Sequence, residues 1–340
     1  KIKNNLIALI DKLRGNTEES QTVKSLVEMV NNCNLQDMFH DALLVATTNY
    51  YSNAVAQLLE GGLDVFLQKV KEMIDREDVV ATKHYIQCKQ DVISFAEKEL
   101  MVETMDYLLM TKKSQLKGFI SNKNSEMINL FIALSTRVKK EEDMQKALIE
   151  VLTTLVKDFC GEKDEQVMMK KLFDMYEYLT FISKSSPVMD HISKTAYEKS
   201  INMFDSKVSV ALVKFCDRVL RKGTINKNVG VQIIQLFKFL PGKDMFEQHY
   251  QLMLSKRLLY KGYDLDSERL MLSELRDECG TSYTSKLEEM LKDVEGGKGW
   301  HAELNKVMKE KGINGEFGMV VITGTSWPTC PLITFRNSPR

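Results

Sequence analysis

The chain has 340 residues, and its 47 lysines and arginines are matched by 47 aspartates and glutamates, so the formal net charge is zero. No global field draws it to nucleic acid or to an anionic membrane. No apolar run approaches the ~20 residues needed to span a bilayer, which excludes a transmembrane role.

At roughly 150 residues per domain, the length suggests two or three packing units. Cys33, Cys88, Cys160, Cys216, Cys279 and Cys330 are scattered without short repeat spacing, which reads as free thiols in a reducing compartment. The expected location is inside the cell, in the cytoplasm, the nucleus or both, and no cofactor is expected.

A helical stripe is already running at Lys1, through Ile2, Leu6, Leu9, Ile10 and Leu13. A chain that starts inside an element is expected to be a piece of a longer protein. Proline is absent before Pro187, and the breaks are polar: Gly15-Asn16-Thr17, Asn31 to Asn34, Gly61-Gly62, Ser121 to Asn124 and Gly161 to Asp164. Apolar periodicity predicts helices over about 2–14, 20–31, 36–59, 63–76, 80–110, 112–120, 124–136, 141–159, 164–182, 187–201, 207–221 and 226–240. Helices this long, with no short repeat, suggest irregular multi-helix repeats of ~100 residues stacked end to end.

A further helix is predicted over Lys243 to Leu259, KDMFEQHYQLMLSKRLL, with Phe246, Tyr250, Met253, Leu254 and Leu258 on one face. Asp244 suits its N-cap, with Glu247 as capping-box partner. Lys256, Arg257 and Lys261 crowd the last turn, where cations suit the helix dipole and their long stems are expected to lie on the surface. Gly262 supplies the stop. Asp266 is expected to cap a second helix carrying Leu272, Leu275 and Cys279 and ended by Gly280. Thr284 or Ser285 is expected to cap a third, with Leu287, Met290, Leu291 and Val294 on one face. Together they predict a bundle whose core holds Phe246, Tyr250, Leu254, Leu258, Leu275 and Leu287. Tyr250 and Tyr283 read as buried rings with bonded hydroxyls.

The texture changes near the end, where seven of the seventeen glycines lie between Gly296 and Gly324. There Met319-Val320-Val321-Ile322-Thr323 reads as a strand, and Leu332 to Phe335 as a possible second. One or two strands make no stable sheet alone, so this edge is expected to be open to strand addition and its amides to exchange rapidly along 319–335.

Catalytic patterns come up short. His301-Ala302-Glu303 lacks the cysteine pair of a zinc deaminase. His84 and Cys88 share a helix turn without further ligands. Gly324-Thr325-Ser326-Trp327-Pro328 lacks the second glycine of a nucleophile elbow, and Gly242-Lys243-Asp244 lacks the rest of a phosphate loop. The reading is a non-enzyme with no catalytic, cofactor or metal residue.

Lys243, Asp244, Phe246, Tyr250, Lys256, Arg257 and Leu258, followed by Ser273, Leu275, Cys279, Gly280, Thr284, Ser285, Lys286 and Leu287, resemble the most recognisable stretch of the cullins, scaffold subunits of RING ubiquitin ligases. LVKFCDRVLRKG (Leu212 to Gly223) resembles the helix opening that family's bundle. MVVITGTSWPT (Met319 to Thr329) resembles its strand ending in threonine, two residues, tryptophan and proline. Upstream, ATTNYYSNAVAQLL resembles the second cullin repeat more loosely.

The resemblance implies a mostly α fold: an elongated stack of helical cullin-type repeats over 1–105 and 106–205, a four-helix bundle over 206–315, and the start of an α/β domain with a short β segment over 316–340. It implies a rigid spacer between a substrate receptor and a RING-bound conjugating enzyme. Met319, Val320, Val321, Ile322, Thr323 and Trp327 would support docking of the RING-finger subunit, with binding expected to be weak or absent. The adaptor-binding first repeat and the modifier-acceptor region of the family have no counterpart in the sequence. Two other readings remain open, a helical-rod tether of the vesicle-docking kind and a truncated cullin-like protein that assembles no ligase.

Overall fold

Sparse glycine and proline leave the chain little alternative to helix. The computed structural model of the protein, which describes residues 2–15, 21–223, 225–259, 264–313 and 321–328, contains sixteen α-helices in those residues. By internal contacts it divides into two compact units, one of Lys1–Leu155 with Tyr178–Ala196, the other of Val156–Glu177 with Tyr197–Arg340. The mostly α expectation holds.

In the first unit, α1 (Ile2–Gly15), α2 (Gln21–Asn32), α3 (Gln36–Leu58) and α4 (Leu63–His84) pack first. Leu6, Ile10, Val23, Phe39, Leu43 and Ala81 are among the residues of one continuous apolar core. The single helix predicted over 80–110 is broken instead. After α4 come a 3-10 turn (Ile86–Cys88), α5 (Lys89–Glu97), a π turn (Lys98–Val102) and α6 (Met105–Thr111). Two side chains account for the breaks. Tyr85 leaves helical geometry, with φ −146° and ψ 54°, while its buried hydroxyl donates to Glu77. Thr104 bonds back to the carbonyls of Leu100 and Met101, at 2.8 and 3.3 Å, beside the π turn. Then α7 (Lys113–Ser121) and α8 (Ser125–Arg137) follow, the latter capped by Asn124, which accepts from the Met127 N–H at 3.2 Å.

Glu77 sits at the centre of this unit with no exposed surface. Its carboxylate accepts from Arg14 Nε (2.9 Å) and Nη2 (3.0 Å), from Tyr51 (2.5 Å) and from Tyr85 (2.8 Å). Arg14 also donates to Thr47 and, toward the surface, to Asp11 at 2.9 Å. Burial alone lowers the Arg14 pKa, but the charge and hydrogen bond of Glu77, with Tyr85 and Tyr51, together outweigh it and hold the guanidinium above its ordinary value. Burial, with the same carboxylate, pushes Tyr51 and Tyr85 upward, so both hydroxyls stay protonated and donate.

Next in the chain come α9 (Glu141–Cys160), α10 (Glu165–Ser183) and α11 (Val188–Ile201). The second unit contains α12 (Asp205–Arg221), α13 (Lys227–Phe237), α14 (Lys243–Leu259), α15 (Leu265–Cys279) and α16 (Thr281–Glu310). Within it α12 packs on α14, α13 on α15, and α16 on both α14 and α15. Three caps differ from expectation: α14 starts at Lys243, so Asp244 lies inside its first turn rather than at the cap. Asp264, not Asp266, caps α15, its carboxylate accepting from the Ser267 N–H (3.1 Å) and hydroxyl (2.6 Å). Gly280, at φ 88°, ends α15 as expected, and α16 starts at once, so Thr284 lies inside the helix, where it donates to Glu288 at 2.9 Å. α16 then runs 30 residues, straight through Gly296, Gly297 and Gly299. Each glycine weakens a helix by ~1 kcal/mol, and the buried face of Leu287, Met290, Leu291 and Val294 anchors the element.

The β segment is not supported. Val321 to Thr323 are irregular, and no strand occurs among the described residues. Met319, Val320, Gly262, Cys330 and the piece Leu332 to Phe335 lie outside the described residues. The β-branched residues that are described find no neighbouring strand, and the Thr323 amide bonds to a carboxylate on α16 instead.

Candidate functional site

The site grows from α14. Phe246, Tyr250 and Leu254 on this helix are fully buried, Leu258 nearly so, and Met253 half-buried. Phe237 meets Phe246 edge-on with centroids 4.9 Å apart, and Phe246 stacks on Tyr250 at 5.8 Å. Leu275 of α15 and Leu287 of α16 are likewise fully buried.

Arg257 corrects the sequence reading. Lys256 is exposed, but Arg257 has no exposed surface at all. Its Nε and Nη2 donate to the two oxygens of buried Glu268 at 2.6 and 3.0 Å, and its Nη1 donates to Asp217 of α12 at 2.7 Å. Its guanidinium lies 5.3 Å from the centroid of the Tyr250 ring, whose hydroxyl is 3.4 Å from Glu268. Asp217 carries the charge outward to Arg221 at 2.8 Å. Burial works against the Arg257 charge, yet Tyr250, Glu268 and Asp217 together raise its pKa above the ordinary value. Burial also pushes the neighbouring Cys216 thiol up to about 12, which leaves it unreactive. Tyr283 is only partly buried, but its hydroxyl is bonded as expected, donating to the Lys243 carbonyl at 2.8 Å.

The segment Val321–Pro328 is fastened to this bundle by side chains. Asp293 of α16 accepts from the Thr323 N–H (2.7 Å), the Thr323 hydroxyl (3.0 Å) and the Trp327 indole N–H (2.8 Å). One turn earlier, Glu289 accepts from the Ser326 hydroxyl. Gln251 of α14 donates to the Ser326 carbonyl at 2.7 Å. Inside the segment, the Ser326 N–H closes a turn onto the Thr323 carbonyl at 3.0 Å. Ser326 and Trp327 are buried, whereas Val321 and Ile322 are 57% and 42% exposed. The structure thus joins Thr323 and Trp327 through one carboxylate and leaves Val321 and Ile322 facing outward. Sequence reasoning missed Asp293, Glu289 and Gln251. Asp293 and Glu289 share one helix face four residues apart, but nothing local says what they hold.

Between α15 and α16 lies a groove of about 360 Å3 whose rim is closed by ion pairs from Arg269 to Glu295 and from Arg276 to Glu288. No group of three or more His, Cys, Asp or Glu side chains converges as a metal site among the described residues. No helix among them is long and apolar enough to cross a membrane.

A helical array with well-punctuated helices and charge clusters sealed between them is the build of a solenoid-type protein. Residues 1–299 match the family model of the cullin α-solenoid domain, and the chain belongs to the cullin family. It is 25% identical to Cullin-4 of Dictyostelium discoideum over 94% of this chain and 41% of that protein. It is 27% identical to Cullin-3A of Arabidopsis thaliana over 98% of this chain and 48% of the relative. The values for human Cullin-4A are 27%, 98% and 46%. The chain therefore spans less than half the length of these relatives.

Proposed function

We propose that this protein is a non-catalytic scaffold of a cullin-RING ubiquitin ligase, spacing a substrate receptor from a RING-bound conjugating enzyme. The observation that carries this reading is the family match, which runs unbroken from the first residues through the bundle to residue 299. Such a spacer works by effective concentration: it holds two bound components within reach of each other, with no reacting group of its own. In this reading 1–105 and 106–205 are the successive repeats, 206–315 the bundle, and 316–340 the start of the next domain. The partner at the bundle end is a RING-finger subunit, and the setting is the cytoplasm, the nucleus or both.

The test has two arms. Mixed with activating and conjugating enzymes alone, the protein is expected to transfer no ubiquitin, and transfer under those conditions would overturn the scaffold reading. Co-expressed with a RING-finger subunit, it is expected to retain that subunit weakly. Complete absence of association at concentrations well above those of ordinary weak complexes would remove the docking part of the proposal.

A further inference from the structure

The docking edge expected from sequence was a strand awaiting neighbours, yet the described part of it is fastened without any sheet. We propose that Asp293 is a positioning residue: its carboxylate, assisted by Glu289 and Gln251, holds Val321–Pro328 on α14 and α16, so that the docking element is ordered before any partner arrives. That role rests on the proposed function above, since it assigns the docking to a RING-finger subunit.

The geometry makes the case. Three donors from two residues converge on one carboxylate, two on Oδ2 and one on Oδ1. Hydrogen bonds to a charged acceptor are the strong kind, and a pair of oxygens shared by three donors fixes direction as well as distance. The bonded residues bracket a closed turn, so Thr323 and Trp327 cannot slide along the helix independently. Burial follows the same division: Ser326 and Trp327 are inside, and the two apolar residues just before Thr323 are outside. An element built this way presents Val321 and Ile322 in a fixed orientation, which reduces the ordering entropy that docking would otherwise demand. Asparagine at position 293 offers one acceptor oxygen in place of two and loses the charge, so the turn loses its shared anchor.

The experiment reads Trp327 directly. Trp300 is 58% exposed, so a Trp300→Phe background leaves Trp327 as the reporter. In that background Asp293→Asn is expected to raise acrylamide quenching of Trp327 several-fold, and amide exchange across 321–328 by ~10-fold, with helix content and unfolding midpoint unchanged. Asp293→Glu, which keeps both oxygens and the charge, should recover part of the protection. The affinity for a purified RING-finger subunit should fall by ~10-fold in the Asn variant. Unchanged quenching and exchange in Asp293→Asn would overturn the anchoring. A released segment with undiminished RING-subunit affinity would overturn the positioning role. If the unsubstituted chain binds no RING-finger subunit, the docking part of the proposed function fails on its own account, and quenching and exchange alone then decide whether Asp293 pre-orders the segment.

Discussion

The two units each bury an arginine against a glutamate and a tyrosine, and they satisfy that charge differently. In the first, Glu77 receives four hydrogen bonds, two from Arg14 and one each from Tyr51 and Tyr85, so both oxygens are saturated. In the second, Glu268 receives two short bonds from Arg257, and Tyr250 stands off at 3.4 Å. There the arginine spends its third donor on Asp217, whose side chain is 17% exposed and paired onward to Arg221. Both arginines also reach a second carboxylate nearer the surface, Arg14 to Asp11 and Arg257 to Asp217, but only the first glutamate is closed by two tyrosine hydroxyls at close range. A buried pair is destabilising when half-satisfied, and these are two solutions to the same demand.

The comparison is broken most severely by removing one charge. Glu77→Ala leaves Arg14 buried without its partner, and Arg257→Ala does the same to Glu268. Each is expected to lose ~3–5 kcal/mol in a denaturant titration. The paired replacement Arg14→Met with Glu77→Leu should recover much of that loss, because two apolar side chains leave no uncompensated charge. If Glu77→Ala is no worse than the paired replacement, the cluster holds the unit together by packing alone.

A baseline for ordinary burial comes from the residue next to Arg257. Leu258→Ala, or Phe246→Ala on the same face, should lose ~2–5 kcal/mol. A loss below ~0.5 kcal/mol would mean that this face of α14 is not core. Removing hydroxyls then sharpens the contrast between the clusters. Tyr51→Phe withdraws one of four close donors and should cost ~1–3 kcal/mol, whereas Tyr250→Phe withdraws a long contact and should cost less than ~0.5 kcal/mol. Equal losses would erase the distinction between a glutamate closed by hydroxyls and one held by its arginine alone.

How much of this was legible follows from helical periodicity. From Tyr250, steps of four, seven and eight reach Leu254, Arg257 and Leu258, so the spacing itself places Arg257 on the buried face. Residue type argued the other way, since cations near a helix end suit the dipole and the surface. The same conflict recurs at Arg14, four residues after buried Ile10, and at Glu77, three after buried Ile74. A charged residue on an apolar stripe was the available signal, and its partner lay 63 residues away for Arg14, beyond any local pattern. Helix ends marked by polar breaks were readable for similar reasons. The length of α16 was not, because its glycines argue for a stop and only packing of its first half overrides them. The segment after it read as strand from β-branched composition, which describes a preference for sheet but supplies no neighbour.

The smallest expected effect concerns acid. Burial raises the Asp293 pKa, but the bonds from the Thr323 amide, the Trp327 indole and the Thr323 hydroxyl outweigh it, leaving the folded value below the ordinary 3.8. The sign follows from which state holds the proton. An Asp whose folded pKa is depressed contributes stability that is fully present above its unfolded value and is lost as the pH falls through the folded one. Trp327 quenching in the Trp300→Phe background should therefore stay flat from neutral pH down to about 4 and climb below that. Glu289 also faces the segment, through the Ser326 hydroxyl, so acid alone does not assign a step to Asp293. The Asp293→Asn variant separates them, since it has no carboxylate to protonate and should begin with Trp327 already accessible and show a smaller step. A Trp327 step that coincides with loss of helix content would show that Val321–Pro328 is released by unfolding of the bundle, and that Asp293 is not its separate anchor.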